Sequence, residues 1–137
     1  MKHTLVALLT CCILIVTCSF AEECQISSEA TTLIDNYLKA VYEEDLNSFQ
    51  KTYHPNAEIN LKKTEERWKR WHLRPKLIKL KCLFNETDLL ILRAEIITTY
   101  NVKSSKTTKG DFLFVLKKFN DEWKIYVVSL LESNFIG

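Results

Sequence analysis

The chain has 137 residues, with 19 basic and 17 acidic side chains and a formal net charge of +2. A balance this even gives no case for nucleic acid as a partner. With only two glycines and two prolines, the composition argues against a repetitive or disordered chain. Length and composition therefore suit one domain with one hydrophobic core.

The amino-terminal segment has the pattern of a secretory signal peptide. A basic segment, Lys2-His3, precedes an apolar run from Thr4 to Cys18, and Ser19-Phe20-Ala21 matches a cleavage site. A membrane anchor is the alternative, but the run is shorter than the roughly 20 residues of a spanning helix. We predict that residues 1–21 are removed. Residues 22–137 then form a single secreted, extracellular domain with no membrane association.

Cysteine usage fits the same compartment. Three of the five cysteines lie in the signal peptide, which leaves Cys24 and Cys82. In an oxidising compartment these two most simply form one intramolecular disulfide; two free thiols or a bridge to another chain are the alternatives. Asn85-Glu86-Thr87 is an N-glycosylation sequon in a polar segment between two apolar runs. We therefore predict that Asn85 lies in an exposed turn and is glycosylated.

Two helices are predicted at the start of the domain. Apolar residues recur with helical spacing from Ala30 to Val41, and Ser27 or Ser28 is the expected N-cap. The opposite face of this helix is polar, as in an amphipathic helix. Asp45 is the expected N-cap of a second, shorter helix that ends near Tyr53.

A short strand and a third helix are predicted next. Residues 57–61 alternate apolar and polar side chains, which is typical of a half-buried strand. Thr64 is the expected N-cap of the third helix, and Pro75 marks its end. Trp68 and Trp71 are expected to face the core from this helix, with its many lysines and arginines in water.

The second half of the domain is rich in strand-forming residues. Four antiparallel strands are predicted, at residues 78–84, 89–102, 111–119 and 123–131. Residues 103–110 are expected to form a loop, and Asn120-Asp121-Glu122 a hairpin turn. The last strands are partly apolar on both faces, so their second face should meet another layer or a partner subunit. The fold class is α+β, with helices on one face of a curved sheet.

The segment YLKAVYEEDLNSFQKTYHPNAEINL, residues 37–61, resembles the nuclear transport factor 2-like superfamily, and FLFVLKKFNDEWKIYVVSLL, residues 112–131, supports the resemblance. The superfamily includes ketosteroid isomerases and polyketide cyclase-like domains. In element order the resemblance covers nearly the whole mature chain. It implies a cone-like, curved antiparallel sheet with three helices from the first half of the chain packed on its concave face, and an interior that is often a pocket.

The isomerase branch of this superfamily permits a test of the catalytic residues. The resemblance places the family's oxyanion-stabilising tyrosine at Tyr37, its general-base aspartate at Leu61 and its second oxyanion donor near Val115. A leucine cannot abstract a proton, and a valine cannot donate a hydrogen bond to an oxyanion. We therefore expect no isomerase chemistry, and Tyr37 is equally well explained as a core aromatic residue.

Other candidate chemistry is sparse. His54 and His72 are far apart and show no metal-binding spacing, so we predict neither a metal site nor a cofactor. The interior is rich in aromatic residues, which could line a small-ligand pocket or fill a solid core. The pocket candidates are Tyr37, Tyr53, Trp68, Trp71, Phe112 and Phe114.

These observations leave three functional hypotheses. The first is a secreted, non-enzymatic domain that binds an apolar small molecule or a protein partner. The second is an enzyme of isomerase, dehydratase or cyclase type with a rearranged site, for which Tyr37, His54, Glu58 and His72 are the candidate polar groups. The third is an interaction module that forms a homodimer through the open face of the sheet.

Overall fold

The computed structural model describes residues 24–136, so the predicted signal peptide lies outside the described residues. Three helices precede a four-stranded antiparallel sheet whose spatial order follows the sequence. The helices are α1 (Ser28–Glu43), α2 (Leu46–Thr52) and α3 (Leu61–Trp71). The strands are β1 (Leu73–Asn85), β2 (Leu89–Tyr100), β3 (Lys106–Phe119) and β4 (Glu122–Phe135). The predicted α+β class, with helices on the concave face of a curved, unclosed sheet, is confirmed.

The first two helices form where the sequence predicts them. The Ser27 hydroxyl accepts a hydrogen bond from the Ala30 amide at 3.2 Å, which fixes the start of α1. The apolar stripe of α1 is buried, and Ile34 is fully inaccessible to solvent. Asp45 caps α2 by accepting from the amide of Ser48 at 3.1 Å. A buried stripe and two side-chain caps together explain why both helices are so well specified locally.

The predicted strand at residues 57–61 is wrong. Residues 57–60 have no regular secondary structure, and Leu61 begins α3 three residues before the expected cap at Thr64. The Asn60 side chain accepts a hydrogen bond from the Lys63 amide at 3.0 Å, so Asn60 is the N-cap. Leu61 packs against the cluster around Phe49. The Asn60 cap and the apolar contacts of Leu61 therefore favour a helix start here more strongly than the short alternation favours a strand.

Two other expectations for α3 need correction. Trp68 is buried, but Trp71 is 40% exposed and packs edge-on against Tyr100 at 6.0 Å between ring centroids. The helix ends at Trp71 instead of at Pro75, because His72 takes a left-handed conformation with φ of 45°. Pro75 lies within β1, an edge strand, where a missing amide hydrogen is tolerated.

Three of the four strands, β1, β3 and β4, extend beyond their predicted limits, whereas β2 ends at Tyr100, two residues before its predicted end. The expected loop at 103–110 is shorter, since β3 already begins at Lys106. Asn120 and Asp121, with φ of 49° and 62°, form a two-residue turn between β3 and β4. Positive φ at both central positions matches the twist of the flanking strands, and Asn and Asp tolerate it. The predicted hairpin is thus present with a tighter turn.

Alternation along the strands gives the sheet two different faces. On the concave face, Leu92 and Phe114 pair across β2 and β3 and are inaccessible to solvent. On the convex face, Arg93 binds Asp111 of β3 at 2.6 Å, and Lys109 binds Glu95 at 2.9 Å. The core therefore lies between the helices and the concave face.

Cys24 and Cys82 form a disulfide, as predicted. The bond ties the segment before α1 to β1 across a sequence separation of 58 residues. Beside it, the side-chain amide of Asn85 donates to the Gln25 carbonyl at 3.1 Å. Asn85 is exposed at the end of β1, before the turn to β2. Its glycosylation stays a prediction.

Candidate functional site: a cavity beneath the helices

An apolar cavity of about 210 Å³ lies between the helices and the part of the concave face near the start of β1 and the end of β2. Every helix and every strand contributes to its wall. The lining residues are Tyr37, Leu38, Val41, Phe49, Arg67, Trp68, Leu73, Pro75, Ile96, Thr98, Tyr100, Phe112, Phe114 and Leu130. The cavity is open to solvent, and two of its lining residues, Leu130 and Arg67, are themselves exposed.

The sequence-predicted pocket residues divide into two groups. Tyr37, Trp68, Phe112 and Phe114 line the cavity. Tyr53 lies behind the wall, where its ring contacts Tyr37 at 6.1 Å and Phe49 at 5.1 Å between centroids. Trp71 lies outside, behind Tyr100. Some of the aromatic residues therefore fill a solid core and others line a space. The two interpretations of the sequence, a solid core and a pocket, each apply to part of the interior.

Phe112 depends on a glycine for its position. A Cβ atom built on Gly110 would lie 2.7 Å from the Phe112 ring and 3.3 Å from a methyl group of Leu130. The ring therefore lies along the bare backbone of Gly110 on the concave face. A side chain at position 110 would therefore displace the Phe112 ring from its place in the cavity wall.

One phenol lines the cavity, and a second lies behind its wall. The rings of Tyr37 and Tyr53 are 6.1 Å apart between centroids, close enough for each phenol to affect the pKa of the other. Burial raises the pKa of the Tyr37 phenol above its ordinary value. Burial, and then the neighbouring Tyr37, also raises the pKa of Tyr53. Both phenols are therefore protonated at neutral pH and act as hydrogen-bond donors, not as bases.

Among the described residues that line the cavity, Arg67 is the one with a charged side chain. It is exposed on α3, and it lies close enough to both phenols for its charge to lower their pKa values slightly against the effect of burial. Arg67 was not among the predicted site residues, because all the basic residues of this helix were expected to face water. The available signal was its position next to Trp68, one residue before the buried side of the helix.

The two positions equated with isomerase catalytic residues are not part of the cavity lining. Leu61 is the first residue of α3, so its proposed place at the end of a strand is wrong. Val115 pairs with Ile91 and Val127 on the convex face of the sheet. Neither residue lines the cavity.

The polar groups proposed for a rearranged enzyme are scattered. His54 accepts a hydrogen bond through Nδ1 from the Asn56 amide at 3.1 Å, outside the cavity. His72 binds a carboxylate oxygen of Glu44 through Nδ1 at 2.9 Å and joins the ends of α3 and α1. Glu58 is exposed. Of the four candidate groups, the structure brings only Tyr37 to the cavity.

Within residues 24–136, no group of three or more histidine, cysteine or acidic side chains is arranged to hold a metal ion. None of the helices in this range is both long enough and apolar enough to cross a membrane.

Comparison with solved structures identifies the fold. A protein provisionally described as an aromatic ring hydroxylase, from Novosphingobium aromaticivorans, matches with a TM-score of 0.65 and 15% identity over 83% of this chain and 96% of its own. Hexachlorocyclohexane dehydrochlorinase LinA-type3 from Novosphingobium barchaimii matches with a TM-score of 0.64 and 13% identity, over 76% of this chain and 85% of its own. A designed NTF2 protein matches with a TM-score of 0.55 and 20% identity, over 74% of this chain and 95% of its own.

These matches show that the chain has the nuclear transport factor 2-like fold that its sequence resembles. At such low identity they establish the fold alone. No protein-family model and no curated protein matches the sequence.

Proposed function

We propose that this protein is a secreted, non-enzymatic domain that binds a small apolar molecule in the cavity beneath its helices. The observation that carries the proposal is the cavity itself, about 210 Å³ of space that is partly open to solvent and lined mostly by apolar side chains. Small-molecule sites are typically concave and mostly apolar, with a few polar groups. An apolar ligand that displaces water from such a wall gains free energy.

The size of the cavity sets the size of the ligand. An apolar cavity of roughly 150 Å³ accepts benzene, and drug-sized ligands occupy roughly 300–1,000 Å³. The cavity lies between these limits, so it fits one aromatic ring or a short acyl chain. Two proteins of similar fold are named for chemistry on small rings, an aromatic ring hydroxylase and a hexachlorocyclohexane dehydrochlorinase.

The chemistry of the lining favours binding over proton transfer. The described lining residues include no carboxylate and no imidazole, and Tyr37 is held protonated by burial. A ligand would meet aromatic and aliphatic carbon on most sides and a phenol donor at one point. That combination orients a ligand and supplies no base for an isomerase, dehydratase or cyclase reaction.

Secretion is part of the same proposal. The disulfide between Cys24 and Cys82 is compatible with an oxidising, extracellular location. Expression of the full-length chain in a secreting host, followed by mass spectrometry of the medium, tests the leader, its cleavage after Ala21 and the glycan on Asn85. Retention of the protein in the cell with an intact amino terminus would refute the secretion proposal.

Binding can be tested with a matched pair of variants in one strand. Thr98 lines the cavity, whereas its neighbour Thr99 lies on the opposite face of β2. We expect 3-phenyl-1-propanol to bind the native protein and Thr99→Phe, and to lose binding in Thr98→Phe, measured by NMR titration. Equal binding to both variants, or no binding of any small apolar probe, would overturn the proposal.

A homodimer is a second candidate function, favoured by one observation on the convex face. An apolar row crosses all four strands in register: Phe84 pairs with Ile91, Ile91 with Val115, and Val115 with Val127. Phe84 and Val127 are 39% and 40% exposed. Light scattering after size exclusion tests the dimer, with Val127→Lys as the disrupting variant. A monomer at high concentration would exclude it.

A further inference from the structure

Arg67 is placed unusually for a surface arginine. Its side chain contributes to an apolar cavity wall, and within residues 24–136 it forms no ion pair. The residues one turn away on α3 are Lys63, Thr64, Arg70 and Trp71, so none of them is a carboxylate. Arg67 therefore borders an apolar space and has no carboxylate partner among the described residues.

We propose that the cavity ligand is a monocarboxylic acid with a compact apolar body, and that Arg67 binds its carboxylate. The proposal rests on the proposed function, since it specifies the ligand of the same cavity. A guanidinium presents paired N–H donors that match the two oxygens of a carboxylate. Arg67 is exposed, so the carboxylate would stay at the opening while the apolar body enters the cavity.

Tyr37 is a second polar residue in the same lining. Its ring is part of the cavity wall, and burial keeps its phenol protonated at neutral pH. A protonated phenol can donate a hydrogen bond. The one lining therefore holds a cation and a hydroxyl donor, and both favour an anionic oxygen over a neutral one.

The rest of the lining fits the apolar body. Phe112, Phe114 and Trp68 offer aromatic faces, and Ile96 and Leu38 offer aliphatic carbon. Arylalkanoic acids and medium-chain fatty acids share the required chemistry. Both have a single carboxylate on an apolar body small enough for about 210 Å³.

The test compares each acid with the alcohol of the same skeleton. The probes are 3-phenylpropanoate with 3-phenyl-1-propanol, and octanoate with 1-octanol, titrated at pH 7 into the native protein, Arg67→Ala, Arg67→Lys and Arg70→Ala. Arg70 is the matched control, an exposed arginine on the same helix that does not line the cavity. The readout is the Kd from NMR titration, with thermal melts to confirm folding.

We expect Arg67→Ala to weaken binding of the acids about tenfold, which corresponds to about 1.4 kcal/mol, and to leave the alcohols within about twofold. Arg67→Lys should recover part of the loss, and Arg70→Ala should change neither probe class. Comparison of the Kd values of 3-phenylpropanoate and octanoate then shows whether the cavity prefers an aryl or an acyl body.

Three results would overturn the carboxylate assignment. These are equal binding of acids and alcohols by the native protein, an equal loss of both in Arg67→Ala, and an equal loss of acid binding in Arg70→Ala. In each case alcohol binding that is sensitive to Thr98→Phe would leave the cavity proposal standing. Failure of all four probes would instead refute the proposed function itself.

Discussion

The two halves of the concave face differ in how completely they are filled. In the half nearest the disulfide, Leu90, Leu92, Leu116 and Ile125 are at most 1% exposed and pack against the first turns of α1. In the other half, Thr98, Tyr100 and Leu130 border the cavity. The same helix covers both halves. Between α1 and the sheet, the half nearest the disulfide therefore stabilises the fold by close packing. The other half leaves a space that a ligand can occupy.

The largest expected effect concerns the filled half. Replacing Cys24 and Cys82 with serine should lower the free energy of unfolding by about 3–4 kcal/mol, because the unfolded chain is no longer constrained by the loop that the disulfide closes. Urea unfolding of the native and double-serine proteins measures the change. A loss below about 1 kcal/mol would show that the filled half is stable without its covalent tie.

A pair of truncations compares the two halves directly. Leu92→Ala should cost about 3 kcal/mol, since it leaves a cavity in fully packed surroundings. Leu38→Ala should cost less, because Leu38 already borders empty space and has fewer contacts to lose. Thermal and urea unfolding of both variants give the two values. Equal losses would mean that the two halves are equally well packed.

A substitution that fills the cavity should increase the stability of the fold, whereas the truncations decrease it. Thr98→Phe should raise the free energy of unfolding by about 0.5–1 kcal/mol, since the new ring buries apolar area in space that already exists. Thr99→Phe, on the convex face, should give no such gain. Destabilisation of Thr98→Phe by more than about 1 kcal/mol would indicate overpacking and a smaller cavity than the structure shows.

The smallest expected effect concerns the start of α3, the helix that carries Arg67. Asn60→Ala should cost about 1 kcal/mol through loss of the cap on the Lys63 amide. Asn60→Asp should retain most of the stability, because a carboxylate also caps this amide. An unchanged melting temperature in Asn60→Ala would mean that the Leu61 contacts alone set the start of the helix.

Much of the fold follows from local features of the sequence. The stripe of α1, the Asp45 cap and the Asn120-Asp121 turn each specify structure within a few residues. The sequence also predicted six aromatic residues as pocket candidates, of which Tyr37, Trp68, Phe112 and Phe114 line the cavity. The strand predicted at residues 57–61 does not form, because a five-residue alternation is a weak signal compared with an asparagine cap and a cluster of apolar contacts.

Local sequence features were enough to predict the three helices, the four antiparallel strands after them and the pairing of the two remaining cysteines, because caps, periodicity and cysteine number can be read over short segments. They could not predict which aromatic residues pack tightly and which border a space, since that depends on how a helix crosses a curved sheet. The tertiary structure decided this, and it also decided that Arg67, one of many basic residues on α3, is the one that lines the cavity. The face of a helix next to a void is a property of packing between distant segments, which no local pattern records.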